Sequence, residues 1–177
     1  MRNKPKKISY QEALTLYEKE KEKIQDLCKE NNIELKKISY AGSLRRERKF
    51  IGDIDIVIEL NDPEFFGELL QEKHDYYYKK NGDFYRGVNN KISIDLFVAG
   101  KYDYYSMLFF LTGSESWNLK LMSHLYRNEI AVFTPFTIRR FSDRSVLYFN
   151  SEEDIFNVIG IEKVEPKSRE IKNIRFL

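Results

Sequence analysis

The sequence predicts an α+β protein: a mixed sheet with helices on one face, followed by a small helix-rich C-terminal lobe. Three observations lead there. Apolar residues recur at helical spacing over 10–31 and again after residue 100, while 37–41, 52–60 and 91–98 are strand-like runs. Helix, strand, turn, strand, helix, hairpin and strand precede a helix-rich C-terminal third. Two of the strand-like runs carry carboxylates inside an otherwise apolar pattern: Asp53-Ile54-Asp55-Ile56-Val57-Ile58, and Asp95 within Lys91–Val98. The first of these is too apolar for an exposed edge, so it belongs inside a sheet.

A chain of 177 residues with 42% hydrophobic and 33% charged residues is one globular unit or two small lobes sharing a core. No stretch approaches the ~20 apolar residues of a membrane span, and no apolar segment follows the basic N-terminus as in a secretory leader. Cys28 is the single cysteine, which excludes an internal disulfide and fits a reducing intracellular compartment. With only His74 and His124 beside it, it cannot build a Cys/His zinc site. Net charge is +2, but residues 1–50 hold fourteen Lys/Arg against eight Asp/Glu. That positive end could face a phosphate backbone, or it could be a solubilising surface and tail.

Along the chain, Ser9 with Glu12 reads as a capping box opening the first helix. Leu14, Tyr17, Ile24, Leu27 and Cys28 form its apolar side. A short strand, Lys37–Ala41, runs into Gly42-Ser43 and a helical turn whose free N–H groups favour an anion. The carboxylate strand spans 52–60, and Asn61-Asp62-Pro63 caps a helix to about Glu72. Residues 75–80 and 83–88 read as a hairpin around Asn81-Gly82, ahead of the Asp95 strand. Gly100 ends that strand, and a helix covers 101–110. Ser114 caps a helix to Arg127, and short strands are expected near 130–134, 136–141 and 145–149. Ser151 opens a last helix, and Pro166 an irregular tail.

Residues 42–58 carry the chemistry. A Gly-Ser turn followed by Arg45-Arg46 suits a polyanion. Carboxylates at i and i+2 of a strand point to the same side, and two such groups are costly to hold together without a cation. Hard oxygen ligands suit Mg²⁺.

Gly42-Ser43, Arg46, Gly52-Asp53-Ile54-Asp55, Asp95 and Thr112-Gly113-Ser114 together resemble the signature of family X DNA polymerases, the polymerase-β-like nucleotidyltransferases. Phe110–Asn118 resembles the segment that holds the incoming nucleotide. Phe136–Arg139, Ser151–Phe156 and Glu165–Arg169 resemble the family's C-terminal lobe, so the likeness spans about 10–170. It implies a nucleotidyltransferase palm over 1–111 and a nucleotide-selecting lobe over 112–177. Only about forty residues precede Gly42, which leaves no room for the family's N-terminal lyase and helix-hairpin-helix domains. The chain therefore resembles the short polymerase X of some large DNA viruses.

The resemblance implies that Asp53 and Asp55 bind two Mg²⁺ ions, with Mn²⁺ able to substitute, and that Asp95 binds the catalytic one near the primer 3′-hydroxyl. Gly42, Ser43, Arg46 and Gly52 would contact the phosphates of a dNTP. Phe110, Leu111 and Gly113 would lie at the sugar, and Asn118 at the base edge. Lys120, Arg127, Arg139, Arg140 and Arg144 are candidates for the DNA backbone. The implied activity is template-directed addition of dNMP to a primer or gapped DNA, in short-gap repair, by a monomer with a DNA ligase as partner. Alternatives are a nucleotidyltransferase acting on RNA, protein or a small molecule, and a non-catalytic DNA-end-binding scaffold. The chain departs from the family pattern in lacking a Tyr at Phe110-Leu111, in Glu115 and Met122, and in Ser93, where an Arg is frequent two residues before the third carboxylate. Trp117 and His124 read as packing residues, and Tyr76-Tyr77-Tyr78 as strand-forming.

Overall fold

The computed structural model describes residues 7–72, 79–81, 84–89, 92–100, 102–134, 136–169 and 173–176. The chain divides into two compact units, 1–101 and 102–177. The division lies ahead of residue 112 because the helix Tyr104–Thr112 packs with C-terminal elements. Its Phe109 ring lies 5.4 Å from Trp117, 5.7 Å from Phe133 and 5.2 Å from Phe156.

In the first unit, β1 (Ile8–Ser9) leads into α1 (Tyr10–Glu30). The Glu12 N–H donates to the Ser9 hydroxyl at 3.3 Å, and the Ser9 N–H donates to the Glu12 carboxylate at 3.0 Å. This is the expected capping box, satisfying donors that a helix start leaves open. Tyr17, Ile24, Leu27 and Cys28 are buried along one side, as are Ala13 and Glu20. β2 (Leu35–Tyr40), α2 (Gly42–Arg45), β3 (Phe50–Ile51), β4 (Asp53–Leu60) and α3 (Pro63–Glu72) follow. The Asp62 side chain accepts the Phe65 N–H at 3.1 Å and starts α3. Then come β5 (Lys79–Asn81), β6 (Phe84–Asn89) and β7 (Ile92–Ala99). β5 and β6 pair antiparallel with Asn81 opposite Phe84, as a hairpin requires. Gly82 of the expected turn, His74 and Tyr76-Tyr77-Tyr78 lie outside the described residues.

The main sheet has the order β2-β4-β7-β6-β5. β4 and β7 are parallel, and every other pair is antiparallel. β1 and β3 form a separate antiparallel pair that the sequence did not suggest. Strand alternation then divides the sheet into two faces. Ile54, Ile56, Ile58, Ile94 and Leu96 join the apolar side of α1 in one buried core. On the same face Gly67 of α3 leaves room for the Tyr85 hydroxyl, which any side chain at 67 would strike. The opposite face carries Asp53, Asp55 and Asp95, with Phe84 stacked on Phe97 at 4.9 Å.

The second unit runs α4 (Tyr104–Thr112), α5 (Glu115–Arg127), β8 (Ala131–Phe133), β9 (Ile138–Arg140), β10 (Val146–Leu147), α6 (Glu152–Ile159) and a 3₁₀ turn, Pro166–Ser168. Its three strands form an antiparallel sheet in the order β10-β9-β8. The Ser151 hydroxyl accepts the Asp154 N–H at 3.1 Å and caps α6, and Gly160 closes that helix in the left-handed region. Ser114 stands at the start of α5, but its hydroxyl does not cap that helix. It donates instead to the Arg169 carbonyl at 3.2 Å. Trp117 is fully buried, and His124 stacks on Phe176. Among the described residues, no helix is long and apolar enough to cross a membrane.

Candidate active site

The parallel register of β4 and β7 sets Asp55 beside Asp95 and Asp53 beside Ser93. Asp53 and Asp55 are two residues apart on β4 and share a face, so all three carboxylates converge. One oxygen from each lies within 4.8 Å of the others. Among the described residues no other group of three acidic, His or Cys side chains gathers this way. Asp53 is exposed, Asp55 half-buried and Asp95 buried.

Burial pushes the Asp55 carboxyl up to about 7, and the Asp53 and Asp95 charges add to it against the pull of Arg46 and Arg86. Burial likewise raises Asp53, with Asp95 contributing. Three carboxylates without thiolate or imidazole are a donor set for a hard divalent cation. Their mutual repulsion is what such a cation would relieve, so the residues fit a metal ion.

Arg86 completes the cluster, and sequence reasoning missed it. It faces Asp95 across the β6–β7 ladder. Its Nε donates to Asp95 Oδ1 at 2.7 Å and its Nη2 to Oδ2 at 2.6 Å, a two-pronged pairing. The Asp95 carboxylate in turn raises the Arg86 guanidinium above its ordinary range. Ser93, two residues before Asp95, offers no charge, and the neighbouring strand supplies it instead. The signal was the spacing: Asn89 pairs with Ile92, and a ladder counted back from that pair sets 86 opposite 95.

The Gly-Ser turn is tied to the same strand. The Ala41 N–H donates to the Asp55 carbonyl at 2.8 Å, and Leu44 anchors α2 in the core. Gly42 has φ +57°, and a side chain there would strike Asp55 Oδ2. The Ser43 hydroxyl is buried and has no hydrogen-bond partner among the described residues. Burial lowers the Arg46 guanidinium, with Arg48 adding to it, while Asp55 and Asp53 pull it back up. Gly52 sits at the bend before Asp53, and a side chain there would meet none of the described residues within 4 Å. Gly42 thus lies against Asp55, and Arg46 stands within reach of the Asp55 and Asp53 charges.

The nucleotide residues expected in the second unit form their own group around the α4–α5 turn. Gly113 has φ +62°, and its N–H donates to the Phe110 carbonyl at 3.0 Å. The same carbonyl accepts from Asn118 Nδ2 at 2.8 Å. Asn118 is buried, its Oδ1 has no hydrogen-bond partner among the described residues, and its Nδ2 bond braces the turn. Phe110 lies edge-on to Phe133 at 5.4 Å, and Leu111 is half-buried. Lys120, Arg127, Arg139 and Arg140 are all exposed. Arg139 donates to the Arg144 carbonyl at 3.0 Å, and Arg144 lies over Phe141.

Arg169 is the second residue whose place the sequence concealed. It is 1% exposed, with its guanidinium over the rings of Phe109, Trp117 and Phe156. It donates to Glu152 Oε1 at 2.9 Å and to the Val164 carbonyl at 3.2 Å. The segment read as an irregular tail therefore pins α4, α5 and α6 together.

No curated protein matches this chain. Residues 107–170 match the family model of the DNA polymerase beta thumb, which covers most of the second unit. That match, on a chain with a mixed sheet and helical lobe, supports its assignment to the polymerase-beta-like, family X polymerases.

Proposed function

We propose that this protein is a template-directed DNA polymerase that adds dNMP to a primer 3′-hydroxyl and fills short gaps in DNA repair. The observation that carries the reading is the convergence of Asp53, Asp55 and Asp95 in a chain that also has a polymerase beta thumb. The carboxylates would hold Mg²⁺, with Asp53 and Asp55 serving two ions and Asp95 one. Bound divalent ions supply charge neutralisation at the attacking and leaving oxygens of phosphoryl transfer. Phosphoryl transfer leaves the protein mainly the work of positioning. Ser43 would give its unmet hydroxyl to a phosphate oxygen, and Arg46 would add charge to the same triphosphate. Gly42 and Gly52 would keep the approach to Asp55 and Asp53 open. Gly113 and the Phe110-Leu111 pair would meet the sugar, and Asn118 would exchange the Phe110 carbonyl for a base edge. Lys120, Arg127, Arg139 and Arg140 would hold the DNA backbone.

The test is dNTP incorporation on single-stranded, primed, one-nucleotide-gapped and nicked DNA. Template-matched addition at the primer and gap is expected. Addition without a template, or transfer only to RNA, protein or a small molecule, would overturn it. Binding to DNA ends with no turnover would point to the scaffold reading.

A further inference from the structure

We infer that Arg86 is a positioning residue that stands in for a cation at Asp95 and sets how tightly the three-carboxylate site takes a divalent ion. The inference rests on the metal reading of Asp53, Asp55 and Asp95 above. Both Asp95 oxygens are engaged by the guanidinium, at 2.6 and 2.7 Å. Asp95 also supplies one of the three oxygens that converge within 4.8 Å. A divalent ion that takes an Asp95 oxygen therefore meets a positive charge already bound to the same carboxylate. The two like charges repel, and the ion must draw Asp95 at least partly away from the fork.

The surroundings of Arg86 permit that exchange. Asp95 is held in a strand and its side chain is 6% exposed, whereas the Arg86 side chain is 44% exposed. Its guanidinium lies 5.3 Å from the Phe84 ring, a face on which it can rest after release. The fork grips Asp95, and its charge also reaches Asp53 and Asp55. An ion held by Asp53 and Asp55 can thus settle without breaking the pair, whereas occupation through Asp95 cannot. Arg86 would make loading of the Asp95 position the harder step, and would keep the vacant triad partly neutralised.

The experiment is Mn²⁺ binding by the full chain, followed by electron paramagnetic resonance without nucleotide or DNA, with melting curves in chelator and in Mn²⁺. Arg86→Gln should tighten Mn²⁺ binding by about tenfold, the scale of removing a like charge at close range. It should melt lower than the parent in chelator, and the deficit should close when Mn²⁺ is added. Arg86→Lys keeps the charge and should bind Mn²⁺ within about threefold of the parent. Unchanged or weaker binding in Arg86→Gln, with the parent binding normally, would overturn the inference and leave the metal reading standing. A parent that binds no Mn²⁺ would overturn both.

Discussion

Gly42, where β2 runs into α2, lies against Asp55 of β4: the space a side chain at 42 would need is filled by the Asp55 carboxylate. The glycine also sits at φ +57°, where other residues are strained. Gly42→Ala should therefore move the Asp55 side chain out of the triad. Turnover should fall by at least about a hundredfold, as misplacement near a reacting centre does. Mn²⁺ affinity should fall with it while far-ultraviolet circular dichroism stays close to the parent. A variant binding Mn²⁺ as the parent does would show that the turn yields instead.

Asp55 makes the metal-free protein sensitive to pH. Its carboxyl titrates near 7 in the fold, well above the ordinary range near 3.8. The folded state then binds the proton more tightly than the unfolded one, so stability is lost as pH rises from about 4 to 7. Asp55→Asn removes that loss. In chelator, the variant should melt higher than the parent at pH 8, by roughly 5–10 °C for a few kcal/mol, and not at pH 4. Equal pH profiles for the two proteins would contradict this.

Asp95→Asn should leave the fold intact and cut turnover by several orders of magnitude, because it removes charge where the reaction needs it. Single-turnover incorporation measures this directly. A rate within about tenfold of the parent would take Asp95 out of the site.

Arg46→Ala should weaken dNTP binding by ~1.5–3 kcal/mol, the scale of a charge-assisted hydrogen bond. The loss should be smaller for a nucleoside diphosphate if Arg46 meets the terminal phosphate. Titration with both nucleotides decides it, and equal losses would assign Arg46 to structure or DNA.

Arg169→Ala should destabilise the second unit by ~3–5 kcal/mol. It removes the guanidinium that donates to Glu152 and opens space between Phe109, Trp117 and Phe156. Thermal melting followed by fluorescence of Trp117, the chain's single tryptophan, should show the loss. An unchanged transition would mean that neighbouring rings close the gap.

What the sequence determined by itself was local in origin. The Ser9–Glu12 capping box, the apolar side of α1, the Asp62 and Ser151 caps and the placing of Asp53 and Asp55 on one side of a strand follow from periods of a few residues. Those periods are written directly in the residue order. The tertiary structure decided which strands became neighbours and in what register. Only the parallel pairing of β4 with β7 brings Asp95 to Asp55, and only the β6–β7 ladder brings Arg86 to Asp95. A shift of one residue in either ladder would turn those side chains to the other face. Local pattern was equally silent on the Ser114 hydroxyl leaving its helix for Arg169, and on Arg169 itself entering the core. A buried arginine is tolerated only where carbonyls, a carboxylate and aromatic faces meet it together, and residues far apart in the chain meet only once it has folded.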